Sequence, residues 1–276
     1  MQGSFRRQPK FVFSWNWIKS FNLKDSQSNM IKIEEKEKLV MITSTVSDFC
    51  DSMGYCEHKI PFHIEGVKPP PSIETLQGTI AHEKEQEIEK EQFEFAPITQ
   101  EELLDMTKNV EFAREEVNTR LLYPVRTGTK NILVLLHGRT DKILRNDKTL
   151  IVQDDKFPTN LKKYEDRIEP YDDQKLQALT YLNSKFTTDG SMDPNNWFEI
   201  PHDEKIWIIK IRDKSNENKP IKIFRGIQND VMRKFLTDSI QRFALLVLGA
   251  EERKHHNVPG KCKPCRLFSQ CQYRLE

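Results

Sequence analysis

The chain has 276 residues, 37% hydrophobic and 31% charged, with 43 Lys and Arg against 42 Asp and Glu for a formal net charge of +1. That length allows one large domain, or one domain with an appended subdomain, and the balanced charge excludes a globally basic surface, so any nucleic-acid interface must be local. The longest apolar run, Phe243 to Leu248, falls far short of the roughly 18–20 residues that cross a bilayer, and the basic start has no apolar stretch behind it. No membrane association or secretion is expected, and the setting expected is intracellular: cytoplasmic, or nuclear or mitochondrial in a eukaryote.

Residues 1–30 mix basic, aromatic and polar side chains without a sustained period, and 1–45 reads as an N-terminal extension. Within it, Lys38 to Thr45 looks like a strand or an entry turn. Ser47 and Asp48 can cap a helix through the Cys50–Cys56 region, and the prolines at 69–71 end what precedes them. Ser72 and Thr75 open a strongly charged helix over 72–93 that carries Gly78 and His82 in its first half. A second helix is expected over 99–122, with glutamates in its first turn facing the positive end of the helix dipole.

After Gly128 the pattern turns β-rich. Two runs, NILVLLHGRTDKIL and TLIVQDDKF, are separated by the turn-forming RNDK and read as a hairpin or meander. Tyr171 to Phe186 reads as a helix buried through Leu176, Leu179, Tyr181 and Leu182. KIWIIKIRD and KPIKIFRG, divided by SNEN, form a second strand pair, and Gln228 to Ala250 an amphipathic helix. The segments expected are 46–98, largely helical, a core over 99–250 and a cysteine-rich tail over 251–276. This order of elements predicts an α/β or α+β fold with a mixed sheet.

Five cysteines are present, and in a reducing compartment they are more often ligands or nucleophiles than disulfides. Cys262, Cys265 and Cys271 give CxxC-x5-C, a spacing shared by zinc ribbons and iron–sulfur proteins. Cys56 is the best fourth ligand, and bridging it to the tail closes a loop of about 200 residues. Spacing alone leaves zinc and iron–sulfur equally open. His255 and His256 before the tail, with His58 and His63 after Cys56, keep a three-cysteine, one-histidine zinc site in play. Cys50 is a spare: a buried filler, or the replacement for Cys56.

The acidic residues form a second constellation. Asp141 follows HGRT, and Asp154, Asp155 and Lys156 follow on the next strand. Side chains alternate along a strand, so Asp154 and Lys156 share one face and Asp155 takes the other. If the two strands pair across RNDK, Asp141 lies near Asp154. Two carboxylates and an ammonium suit a divalent cation for phosphodiester hydrolysis, with Mg²⁺ or Mn²⁺ neutralising charge and activating water. The lysine can orient or deprotonate that water, and His82 adds a nitrogen ligand that tilts preference toward Mn²⁺. Each piece alone has a plainer reading: a surface triplet, a turn, a capping histidine.

In order, Gly78-Thr-Ile-Ala-His82, Gly138-Arg-Thr-Asp141, Asp154-Asp-Lys156 and Gln177-Ala-Leu-Thr-Tyr181 resemble the RecB-like branch of the PD-(D/E)xK nucleases. The likeness is strongest to exonuclease V and the CRISPR-associated exonucleases, and Val46 to Glu57 is similar to the exonuclease V entry segment. The resemblance spans residues 46–271. It implies a restriction-endonuclease-like α/β core, a mixed central sheet flanked by helices, with an iron–sulfur subdomain joining the two ends of the chain. It implies that His82, Asp141 and Asp154 hold Mg²⁺ or Mn²⁺, with Asp155 contributing its backbone carbonyl, and that Lys156 is the catalytic lysine. Gln177 and Tyr181 match the QxxxY motif, on one helix face beside the site and near DNA; core packing is the other reading of Tyr181. Cys56, Cys262, Cys265 and Cys271 match the ligands of a structural [4Fe–4S] cluster. The chain departs in having Asp154 where the family usually has glutamate.

The activity so implied is exonucleolytic hydrolysis of single-stranded DNA, in DNA repair or CRISPR adaptation, with proteins of those processes as candidate partners. Backbone-binding candidates are Arg139 and Lys142, which flank Asp141, then Lys162, Lys163, Arg167, Arg225, Arg233, Lys234 and Arg242. Phe157 and Tyr164 are open to stacking on bases or to packing. Two other readings stay open: a catalytically idle DNA-binding module of the same fold, and a zinc-stapled protein of unrelated function.

Overall fold

The structure is a computed structural model and describes residues 31–37, 39–67, 71, 73–92, 104–105, 110–113, 117–127, 130–146, 148–187, 191–214 and 216–276. In chain order its strands and α-helices are β1 (Lys32–Lys36), β2 (Leu39–Thr45), α1 (Val46–Cys50), α2 (Ile60–Ile64), α3 (Ile73–Gln92), β3 (Val110–Ala113), β4 (Val117–Arg126), β5 (Asn131–Thr140), β6 (Lys142–Asn146), β7 (Thr149–Lys156), α4 (Lys162–Glu165), α5 (Asp172–Leu182), β8 (Lys185–Thr187), β9 (Glu204–Asp213), β10 (Asn216–Ile227), α6 (Asp230–Val247) and α7 (Pro259–Cys262). A π-helical turn, Asp51–Tyr55, and a 3-10 turn, Glu57–Lys59, link α1 to α2.

The strands form two five-stranded sheets, in the orders β1-β2-β5-β4-β8 and β10-β9-β7-β6-β3. Each has one parallel pair, β2 with β5 and β7 with β9, set among antiparallel neighbours. The fold is therefore mixed α/β, but with two mixed sheets where one central sheet was expected. Between β5 and β6 the chain passes from one sheet to the other across a single residue, Asp141. Ile132 to Leu136 of β5 are all buried, as suits a strand covered on both faces, whose sequence is a continuous apolar run and not an alternating one.

Three expectations change. The helix over 99–122 does not run through that stretch: Leu104 is helical, but Val110–Ala113 and Val117–Arg126 are strands. The glutamate- and leucine-rich composition reads helical, but pairing of β4 with β5 along its whole length overrides that propensity. Pro124 fits because, among the described residues, β8 pairs only with Asn118 to Arg120 and does not reach the proline. Residues 32–45, grouped with the N-terminal extension, supply two strands of the first sheet, with Val40 to Ile42 buried in it. The Tyr171–Phe186 helix stops at Leu182, because Lys185–Thr187 pairs as β8.

Local chemistry fixes the helices that frame the site. Thr45, not Ser47 or Asp48, caps α1, its Oγ1 accepting from the Asp48 N–H at 3.0 Å. Gln174 reaches back to the Tyr171 N–H at the start of α5, with Asp172 and Asp173 in the first turn. α5 lies across both sheets, against β4 and β5 of the first and β7 and β9 of the second. α6, capped by Asn229 on the Met232 N–H, joins the same core, where Phe243 meets Phe49 edge to face at 5.3 Å. Among the described residues no helix is long and apolar enough to cross a membrane.

Candidate active site and cysteine centre

The β6–β7 hairpin pairs Lys142 with Gln153, which brings Asp141, one residue earlier, to the end of β7. The Asp155 N–H donates to Asp141 Oδ2 at 2.8 Å. Asp154, 2% exposed, projects to the same side as Lys156, whose Nζ lies 2.8 Å from Asp154 Oδ2. That oxygen has no well-aligned hydrogen-bond donor, so the contact is an ion pair of poor hydrogen-bond geometry. Burial, and then the neighbouring Asp141, push the Asp154 carboxyl up to about 7 despite the Lys156 charge. Burial disfavours the Lys156 ammonium, yet Asp154 and Asp141 outweigh it and raise that group to about 12. Two carboxylates, Asp154 buried and Asp141 partly buried, share the one Lys156 ammonium, a donor set that a divalent cation fits.

The Lys156 ammonium also donates to Gln177 Oε1 at 2.8 Å, and Gln177 Nε2 donates to Tyr181 Oη at 3.2 Å. The QxxxY pair thus acts in series, with Gln177 on the lysine and Tyr181 on Gln177. Tyr181 is 3% exposed and held in its phenol form by burial and by Asp154. A ring this enclosed packs and buttresses, and it does not present itself to DNA. Gly138 makes room for it: a Cβ there would meet Tyr181 Cε1 at 3.2 Å and Val46 Cγ2 at 3.1 Å.

Alternation sends Asp155 to the opposite face. Its carboxylate is held by Arg212 Nε at 2.9 Å, Gln153 Nε2 at 3.1 Å and Lys142 Nζ at 3.3 Å. Burial alone would raise this carboxyl, but Lys142 and Arg212 hold it below the usual carboxylate range. The Asp155 side chain is committed to this buried network, and the role expected of Asp155 was its backbone carbonyl alone. One correction follows. Lys142, 4% exposed, is an internal counter-ion and not a surface contact for DNA. Arg139 is exposed on β5.

His82 lies in α3, but its side chain is outside the described residues. Gly78, one turn earlier, runs near the end of β7, a Cβ there lying 3.9 Å from the Phe157 carbonyl oxygen. Arg212, Gln153 and Asp173 belong to the site although no motif marks them. Asp173 is half-buried in the first turn of α5, raised by burial and lowered by the Lys156 charge. The one available signal was Lys210 and Arg212 at alternate positions of β9, which share a face beside the DxK strand once β7 and β9 pair.

The second cluster lies where the segment around Cys56 meets the C-terminal tail. Cys56 follows the π-helical turn, Cys262 ends α7, and Cys265 and Cys271 sit in tight turns, with Cys265 N–H donating to the Cys262 carbonyl at 2.8 Å and Cys271 N–H to Leu267 at 2.9 Å. All four thiols line one cavity with Tyr55, Phe62, Leu267 and Phe268, and none forms a disulfide. Burial raises the Cys56 thiol, and Cys271 and Cys265 add to it, a repulsion between thiolates that a bound cation relieves. The donor set therefore fits a metal centre. His255 and His256 reach the same cavity; with Cys56 they offer ligand atoms within 4.8 Å of one another. Glu57, next to Cys56, receives Arg242 Nη2 of α6 at 2.7 Å and the Lys254 N–H at 2.6 Å. Tyr55 Oη donates to the Lys261 carbonyl. Cys50 is elsewhere, buried in the main core, its thiol raised by burial and by Asp173.

Neither a protein-family model nor a curated protein sequence matches the chain. Among solved structures it is similar to a protein named SSO0001, at 16% identity over 88% of this chain and 90% of that one with a TM-score of 0.47. It is also similar to a candidate exonuclease from Eubacterium rectale, at 13% identity over 99% and 96% of the two chains with a TM-score of 0.42. Neither likeness is close enough to transfer a residue role, and the chemistry is read from the side chains themselves.

Proposed function

We propose that this protein is a Mg²⁺- or Mn²⁺-dependent deoxyribonuclease that degrades single-stranded DNA from its ends, with a structural [4Fe–4S] cluster. The observation that carries the reading is the Asp141–Asp154–Lys156–Gln177 arrangement at the junction of the sheets, a partly buried and a buried carboxylate whose lysine is held by a second side chain. Asp141 and Asp154, with the Asp155 backbone and His82, are the groups to hold the metal, which when bound supplies charge neutralisation at the phosphate and an acidified water.

The protein's own groups do the rest. Asp154 and Asp141 favour the Lys156 ammonium in the metal-free chain, and its part is to orient the attacking water and stabilise charge at the phosphate. Gln177 fixes the ammonium, Tyr181 fixes Gln177, and Asp155 with Arg212 and Lys142 locks the register that aims Asp154 and Lys156 together. Exposed Arg139, beside the site, is the best candidate for the DNA backbone.

Cys56, Cys262, Cys265 and Cys271 would hold the cluster, which would staple the tail to the core. Repair or CRISPR-adaptation proteins are the partners proposed. The nearby imidazoles favour one other reading of this centre, a single zinc with mixed thiolate and histidine ligands. Anaerobic purification with iron, sulfide and zinc quantified on one sample decides between them. For the activity, the test is degradation of end-labelled single-stranded DNA with Mn²⁺. Asp141→Ala, Asp154→Ala and Lys156→Ala should each lose about 10²–10⁴-fold, and full activity in all three makes the site a passive DNA-binding surface.

A further inference from the structure

His255 and His256 enter the cavity lined by Cys56, Cys262, Cys265 and Cys271, four cysteines that on the iron–sulfur reading would make a complete ligand set without them. Cys262 Sγ lies 3.9 Å from His255 Nε2 and 3.6 Å from His256 Nε2. At the far side of each ring, Nδ1 accepts a backbone N–H, from Asn257 to His255 at 3.1 Å and from Val258 to His256 at 3.0 Å. A neutral imidazole has one lone pair and one N–H. With both lone pairs turned to the backbone, both protons sit on Nε2 and face sulfur. A ligating Nε2 needs the opposite tautomer, so closeness to Cys56 does not by itself make these rings ligands. Asn257 makes the arrangement possible: its φ of +52° is in the left-handed region, which asparagine enters more easily than most residues, and the turn folds the two N–H groups back onto the rings.

We infer that His255 and His256 are paired N–H donors to the Cys262 thiolate, tuning the metal centre and not ligating it. The consequence for the cluster rests on the iron–sulfur reading above. N–H···S bonds draw charge from the thiolate and favour the reduced cluster, whose added electron increases charge on sulfur, so they raise its reduction potential.

The test is anaerobic reconstitution of the full chain with iron and sulfide, followed by measurement of the midpoint potential in wild type, His255→Ala, His256→Ala, the double variant and His256→Gln. The alanine variants should assemble the same iron content and shift to more negative potentials, furthest in the double variant. His256→Gln, which keeps an N–H, should recover part of the shift. Equal potentials in all variants overturn the inference and leave the cluster assignment standing. Failure of the double alanine variant to assemble a cluster that wild type assembles makes the imidazoles ligands and overturns it as well. A second readout needs no iron: protein loaded with NMR-active cadmium and nitrogen-labelled histidine. Protonated Nε2 without coupling to cadmium supports the donor role even if no iron cluster ever forms, which would sink the cluster reading alone. Coupling between cadmium and a ring nitrogen overturns the donor role.

Discussion

Asp154 and Asp155 are neighbours on one strand, both buried, and they titrate in opposite directions because alternation turns them to opposite faces. Asp155 meets two cations and an amide, whereas Asp154 meets one lysine and a second carboxylate. A carboxyl whose folded pKa lies above its unfolded value binds its proton more tightly in the folded chain. That contribution to stability is present at low pH and is lost as pH rises from 3.8 toward about 7. Metal-free protein should therefore lose melting temperature across that window more steeply than Asp154→Asn, compared by calorimetry at matched ionic strength. Saturating Mn²⁺ should reverse the difference, since the metal takes only the ionised carboxylate. Parallel curves for the two metal-free proteins would show that Asp154 titrates normally. Gln177→Leu probes the lysine's support. It should slow single-turnover cleavage about tenfold to a hundredfold, less than Lys156→Ala, with DNA affinity unchanged; an effect on affinity alone would make Gln177 a substrate contact. Asp141, Asp154 and Lys156 were legible in the sequence because a short hairpin and strand alternation are local rules. The Arg212–Asp155 pairing was not, because it depends on the register between β7 and β9, some fifty residues apart.

At the scale of elements, α5 is the link between the two clusters. It carries Gln177 and Tyr181, and its first turn presses against the π-helical turn that leads into Cys56. The contact is closer than any side chain allows. A Cβ on Gly54 would lie 2.3 Å from both the Cα and the backbone N of Asp173. Backbone cannot swing aside as a side chain can, so Gly54→Ala must move the turn away from the helix, at a cost of about 1–3 kcal/mol. The expected result is a lowered denaturation midpoint together with reduced cleavage, since Asp173 and Gln177 shift with α5. A midpoint equal to wild type would mean that the turn and the helix part without cost. The motif at Gly54 carried no warning of this, because close approach is a property of the pair and not of either segment. β4 was misread for a related reason. Val117, Thr119, Leu121, Tyr123 and Val125 do alternate, but the charged stretch before them suggested a helix, and only the partner strand decided the matter. β5, apolar throughout, was plain from its own residues.

For the whole molecule, a metal bound at the cysteine cavity would tie segments that are far apart in sequence, and the four cysteine positions are not equivalent. Cys262, Cys265 and Cys271 lie within ten residues of one another, so any of them bound to metal without Cys56 constrains only a local turn. Cys56 alone closes the loop of about 200 residues, and loop-closure entropy puts the effect of that constraint at about 5 kcal/mol. Glu57 with Arg242, and Tyr55 with Lys261, cross the same gap, but they are hydrogen bonds and ion pairs that part when the chain unfolds, whereas thiolate–metal bonds persist. Cys56→Ser should therefore lower the denaturation midpoint of metal-loaded protein well beyond Cys271→Ser, which leaves Cys56 joined to the CxxC pair. After chelation the two variants and wild type should converge, because the long loop is then open in all three. Equal losses in the loaded variants would mean that the centre stabilises by local packing around each thiolate, and that the Cys56 segment and the tail are held together by Arg242 and its neighbours without help from the metal.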